Sequence, residues 1–202
     1  MKIICIGRNY LDHIKELNNH TQKEIIFFLK PETAIPIKGQ PFFLPDFSKN
    51  IEHEIELVLK INKAGKFIQE KYSEKYYNEI SVGIDFTARD VQEKMKKKGL
   101  PWEIAKCFDG SAVVGKFIPI SELNKNNLNF SLKKNGNTLQ AGNSKNMIHN
   151  FDKIISFISK FITLKKGDLI FTGTPSGVST VKKNDILEGF LETEKLFEIK
   201  VI

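Results

Sequence analysis

The run IEHEIELVLKI, residues 51–61, constrains this chain more than any other stretch. Apolar and polar residues alternate along it, and a period of two marks a β-strand with one buried face. This reading puts Glu52, Glu54 and Glu56 on one face, and His53, Ile55, Leu57, Leu59 and Ile61 on the other. Three carboxylates in a row repel one another unless water or a cation meets them. The face is therefore a solvated edge, or a divalent-cation site using two of the three. His53 falls on the apolar side, where a hydrogen-bonded core histidine is the ordinary role.

Strand texture recurs at 3–6, 80–86, 112–118, 128–134, 168–172 and 195–201. Asn135-Gly136 is a strong two-residue hairpin turn. Helices are expected near 10–17, from Ala88 to about Lys97, and over 150–161. The second has a Thr87-x-x-Asp90 capping signal at its start and Gly99, then Pro101, at its end. The third puts Ile154, Ile155, Ile158 and Phe161 on one side. Pro31, Pro36, Pro41 and Pro45 argue for extended, looped chain through FFLKPETAIPIKGQPFFLPDF. The βαβ alternation of a Rossmann domain is missing, so the pattern reads as a β-dominated α+β chain. Its texture changes near residue 48, which divides an N-terminal strand, helix and proline-rich segment (1–48) from the remainder (49–202).

With 202 residues, 41% of them hydrophobic, the chain can bury a real core as one domain of ordinary size. Its net charge of +7 permits nucleic-acid or membrane-surface binding. Yet of 31 basic residues only Arg8 and Arg89 are arginines, and nucleic-acid readers lean on arginine. The run EKMKKKG reads as a solvated helix face. No apolar stretch is long enough to span a membrane, and the opening apolar run is too short for a signal peptide, so a cytoplasmic setting is expected. Cys5 and Cys107 are the only cysteines and read as buried free thiols.

Asp85 ends the strand at 80–86. With two glutamates from the first strand it would make a set of hard oxygen ligands suited to Mg²⁺ or Mn²⁺. Arg89 and Gln92, three apart, share a helix face just beyond it. An arginine at a helix N-terminus opposes the macrodipole, so an anionic partner is expected. Lys106 stands alone in apolar EIAKCFDG, where a snorkelling strand lysine is the ordinary role. The loop from Thr172 to Gly177, including Thr174, offers backbone N–H groups and hydroxyls to carboxylate oxygens. His13 and Glu16 share one face of the first helix, as in a general base oriented by a carboxylate, although a surface pair is commoner.

GRNYLDH, FLKP, HEIELVLKI, GIDFTARDVQ, KGLPWEIAKCFDG, QAGNSKNMI and GDLIFTGTPSGV together resemble the fumarylacetoacetate hydrolase superfamily. The likeness is nearest its compact group of acylpyruvate hydrolases and oxaloacetate decarboxylases or tautomerases, and runs in order along nearly the whole chain. It implies a β-roll of mixed sheets with a few short helices, usually a homodimer, with residues 49–202 as the catalytic domain. It implies metal ligation by Glu54, Glu56 and Asp85, leaving Glu52 outside. It implies catalytic roles for His13, Glu16 and Lys106, and substrate contacts for Arg89, Gln92 and Thr174. His13 and Glu16 would ride on a lid-like helix, though the chain is short between Asn18 and Phe28, which puts lid length in question.

The activity so implied is cleavage of the C3–C4 bond of 2,4-dioxo acids. Water activated by His13 and Glu16 would attack C4, and a metal-stabilised pyruvate enolate would leave with a carboxylic acid. Oxaloacetate decarboxylation or tautomerisation, and isomerisation or decarboxylation of 2-hydroxy-dienoates, are alternatives at the same site. A basic RNA-binding module or an inactive scaffold is the reading from another class.

Overall fold

The computed structural model describes residues 1–17 and 24–202. The chain begins with β1 (Ile3–Gly7), α1 (Leu11–Glu16) and β2 (Ile26–Lys30). Next come β3 (Ile51–His53), β4 (Ile55–Ile61), β5 (Tyr77–Asp85) and β6 (Thr87–Ala88). Then follow α2 (Arg89–Lys98), α3 (Glu103–Lys106), β7 (Ala112–Val114), β8 (Ile118–Pro119), β9 (Asn129–Lys134) and β10 (Asn137–Asn143). The remainder is α4 (Phe151–Phe161), β11 (Leu169–Phe171), β12 (Ser179–Thr180), β13 (Ile186–Leu191) and β14 (Glu194–Lys200).

The principal sheet runs β2-β1-β11-β4-β5-β7, and β8 also pairs with β5. Its pairs are antiparallel except β1 with β11, which run parallel. A second sheet runs β10-β9-β13-β14 and a small third β12-β3-β6. This is the β-dominated α+β architecture expected from the residue pattern, with the mixed sheets and few short helices that the family resemblance implies. The main core takes Ile55, Leu57, Leu59 and Ile61 from β4, with Ile80, Val82 and Ile84 from β5. The opposite sheet face packs Ile3, Cys5, Val58 and Phe171 in a smaller cluster. Glu56 and Asp85 belong to this second face, because they lie in phase with Val58 and Ser81. α4 closes the main core with Ile154, Ile155 and Ile158, all fully buried. Each such side chain contributes about 1.5–3 kcal/mol by leaving water. Phe161 does not join them and is 60% exposed.

Several expectations need correction. Residues 51–61 are two strands, not one: the ladder breaks at Glu54. The buried Gln140 side chain takes the Ile55 N–H at 3.0 Å, while β3 turns away to pair with β6 and β12. The Thr87–Asp90 capping box does not form. Thr87 lies in β6, and α2 has no side-chain cap. Asp90 instead accepts from the Ser48 hydroxyl and the Lys49 and Val91 N–H groups. The proline-rich stretch contains β2, which ends at Lys30, one residue before Pro31. β13 lies outside the expected strands, whereas β10 is the second arm of the Asn135-Gly136 hairpin. Cys5 is buried, but Cys107 is only half-buried. Asn135 and Gly136 have φ of 52° and 80°, the paired positive values of a type I′ turn. The question of lid length falls partly on residues 18–23, outside the described residues.

Candidate active site

Glu54, in the break just before β4, converges with Glu56 of β4 and Asp85 of β5, with one oxygen from each within 4.8 Å of the others. All three are buried. The backbone assembles them: Asp85 N–H donates to Glu54 O at 2.9 Å, and Glu56 pairs with Gly83 across the β4–β5 ladder. Glu52, one of the three glutamates of the run, lies outside the cluster on β3.

Two ammonium groups flank Asp85. Lys106 Nζ donates to Glu54 Oε2 at 2.8 Å, Asp85 Oδ2 at 2.9 Å and Thr87 Oγ1 at 2.6 Å. An ammonium has three N–H bonds, so all of them are used within the protein. Lys106 is thus neither a strand lysine nor a snorkelling one: it ends the single-turn α3 and is buried. Lys30, at the end of β2, reaches within 2.8 Å of Asp85 Oδ1. It is also held by the carbonyls of Phe86, Ser111 and Lys106 and by the Ser111 hydroxyl.

Arg89 finds the anionic partner that its place at the start of α2 demands. Its Nε donates to Glu52 and its Nη2 to Glu54, each at 2.6 Å, and its Nη1 donates to Gln92 Oε1 at 2.7 Å. These surroundings divide the two glutamates. Burial alone would raise Glu54, but Lys106 and Arg89 hold its carboxyl well below the ordinary value. Burial beside Asp85 and Glu54 pushes Glu56 well above it, only partly offset by the Gly173 N–H at 2.6 Å from Glu56 Oε2.

The donor set fits a divalent cation. Three buried carboxylates offer hard oxygens that lie within 4.8 Å of one another. Glu54, Glu56 and Asp85 would be the ligands.

The other side of the cavity is α1. His13 Nδ1 lies 3.1 Å from Glu16 Oε2, and Glu16 Oε1 accepts the Gly177 N–H at 2.9 Å. His13, Arg89, Gln92, Lys106 and Thr174 all line the cavity with the three carboxylates. Glu16 does not; it stands behind His13. Thr174 Oγ1 accepts from Gln140 Nε2 at 2.9 Å. His53 is the core histidine expected: its Nδ1 lies 2.8 Å from Gln140 Oε1 and its Nε2 2.8 Å from Ser179 Oγ.

Sequence reasoning missed Lys30, Gln140 and Asn9. Lys30 and Gln140 stand inside the FLKP and QAGNSKNMI segments but have no distinctive spacing. Buried Gln140 ties the start of β4 to the Thr174 loop. Asn9 bonds the carbonyls of His149 and Thr172 and the His149 N–H, joining the entry to α1 to the Gly173 loop. The clue was three polar residues beside apolar runs, but their partners are distant in sequence. Arg8 and Lys96 also line the cavity.

Residues 2–199 match the fumarylacetoacetate (FAA) hydrolase C-terminal family. The mitochondrial oxaloacetate tautomerase FAHD1 of Mus musculus is 42% identical over 200 residues, covering 98% of this chain and 90% of that protein. A Yersinia pestis structure ascribed to the fumarylacetoacetate hydrolase family superposes with a TM-score of 0.95 at 38% identity, covering 100% of this chain and 93% of the other. The fumarylpyruvate hydrolase of Pseudomonas aeruginosa, solved with Mn²⁺ and pyruvate, superposes with a TM-score of 0.93 at 33% identity, covering 100% and 89%. Among the described residues no helix is long and apolar enough to cross a membrane. With a family match over residues 2–199 and the same fold, the chain belongs to the fumarylacetoacetate hydrolase family of enzymes.

Proposed function

We propose that this enzyme interconverts the keto and enol forms of oxaloacetate at a Mg²⁺ or Mn²⁺ centre held by Glu54, Glu56 and Asp85. The observation that carries the reading is the buried carboxylate triad sharing a cavity with His13. The mouse relative named oxaloacetate tautomerase supports this reading over hydrolysis. When bound, the cation supplies Lewis acidity to the carboxylate and 2-oxo oxygens of the substrate and so acidifies its C3 protons.

The chain's own residues do the rest. Lys106 and Arg89 keep Glu54 ionised and fix its oxygens. With no N–H to spare, Lys106 acts on the substrate by its field alone. The Gln92 amide and the Thr174 hydroxyl orient the substrate carboxylate. Glu16 holds His13 by Nδ1, leaving Nε2 to take the proton from C3 and return it.

Hydrolysis of acylpyruvates is the second reading, favoured by the His13–Glu16 contact of 3.1 Å. There His13 takes a proton from water, hydroxide attacks the C4 carbonyl, and the C3–C4 bond breaks to give pyruvate and a carboxylic acid. Decarboxylation of oxaloacetate needs no such water. A homodimer and a cytoplasmic setting belong to the same proposal.

The test follows the ultraviolet absorbance of enol-oxaloacetate, and separately of acetylpyruvate, with Mg²⁺ and then with chelator. Chelator-sensitive acceleration of enol loss without pyruvate release supports tautomerisation. Pyruvate and acetate from acetylpyruvate at a higher kcat/KM would put hydrolysis first. Neither reaction, in folded protein with bound metal, overturns the proposal.

A further inference from the structure

α2 presents Arg89, Gln92 and Lys96 at spacings of three and four, on one face toward the cavity. The first two are spoken for by Glu52, Glu54 and each other. Lys96 is different. It is half-buried, and among the described residues its ammonium makes no hydrogen bond or ion pair. It lies 5.7 Å from the centroid of the Trp102 ring, which is itself packed edge-on against Phe28 at 6.2 Å. Burial, with Arg89 and Arg8 close by, pushes the Lys96 pKa down, so an anion beside it would relieve the charge.

The charge balance points the same way. Of the cations that line the cavity with the three carboxylates, Arg89 is paired with Glu52 and Glu54 and Lys106 with Glu54 and Asp85, whereas Lys96 has no carboxylate partner among the described residues. A divalent cation on the three carboxylates would add positive charge to the cavity, which a dianion neutralises better than a monoanion. Arg8 enters with φ of 61°, a left-handed value that a non-glycine residue adopts only under constraint.

We propose that Lys96 binds the second carboxylate of a dicarboxylic 2-oxo acid, the one remote from the chelating end, and so selects dicarboxylic over monocarboxylic substrates. This rests on the reading that the site turns over 2-oxo acids, and it makes Lys96 a specificity residue. A solvated lysine merely stacked on Trp102 would show no such selectivity.

The test compares wild type, Lys96→Met and Lys96→Arg, each loaded with Mn²⁺, on oxaloacetate and acetylpyruvate. Loss of a charge-assisted contact should lower kcat/KM for oxaloacetate about tenfold to a hundredfold, mostly through KM. Acetylpyruvate, which lacks the second carboxylate, should change less than about twofold, and Lys96→Arg should restore oxaloacetate. Equal losses on both substrates, or no loss on oxaloacetate, would overturn the proposal. Calorimetry with 3,3-difluoro-oxaloacetate and pyruvate separates this from the turnover reading. If wild type turns over neither substrate, the proposed function has failed. Weaker binding of the difluoro acid alone in Lys96→Met would still support the Lys96 role, and equal weakening of both would end it.

Discussion

The two sides of the cavity are built in opposite ways. The carboxylate side is anchored in the principal sheet, and its surroundings are saturated. Lys106 uses all three N–H bonds there, Gly173 N–H is committed to Glu56, and Lys30 is clasped by three carbonyls. The His13 side is a six-residue helix. Helices of that length do not hold themselves together. Its hold on the site includes the Glu16–Gly177 hydrogen bond and the Asn9 network at its entry. Preorganised charge thus sits in rigid sheet, while His13, the proposed proton-moving group, sits on an element of low intrinsic stability.

If that division holds, damage to one side should leave the other intact. Asp85→Asn neutralises a proposed metal ligand on the rigid side. Turnover should fall about a thousandfold and Mn²⁺ affinity more than about a hundredfold by calorimetry. His13→Gln should lower kcat by about 10²–10⁴ while Mn²⁺ affinity stays within about twofold. A large loss of Mn²⁺ affinity in that variant would erase the distinction. Gln140→Ala tests the frame between the sides. It strands the Ile55 N–H and one His53 nitrogen, so unfolding in urea should show a loss of about 2–4 kcal/mol. Gly177→Ala is the mildest. Gly177 has φ of 98°, and an added Cβ would lie 2.4 Å from the Leu139 carbonyl oxygen. The shifted N–H should release Glu16 and reduce kcat/KM about tenfold, with metal affinity unaltered. Unchanged kinetics there would show that the Gly177 contact does not hold α1 in its working position.

What could be read from the sequence follows the range of the interactions. Alternation at Ile55–Ile61, the Asn135-Gly136 turn and the apolar stripe of Phe151–Phe161 are local patterns, and the structure contains each of them. The break at Glu54 could not be read, because its cause is Gln140, 85 residues away from the Ile55 it bonds. Lys30 was hidden for the same reason: it meets Ser111 across 81 residues. Thr87 and Asp90 carry the spacing of a capping box, but the Lys106 ammonium takes the Thr87 hydroxyl first. Buried charge outranks a cap, since an unsatisfied ammonium costs more than an unsatisfied N–H. The candidate metal ligands were narrowed to Glu54, Glu56 and Asp85 by family resemblance. Alternation alone left Glu52 an equal member.

The parallel pairing of β1 with β11 has a consequence for the chain as it is made. Ile3 waits for Leu169, and β11 also lies between β1 and β4. At ribosomal rates of about 5–20 residues per second, that wait is on the order of ten seconds or more. Until then β1 and β4 each present an open edge with unpaired backbone groups, and Glu56 lacks the Gly173 N–H that steadies it. Ribosome-bound chains that stop short of Leu169 are therefore the sticky ones, and the carboxylate pocket is among the last parts of the protein to come into being.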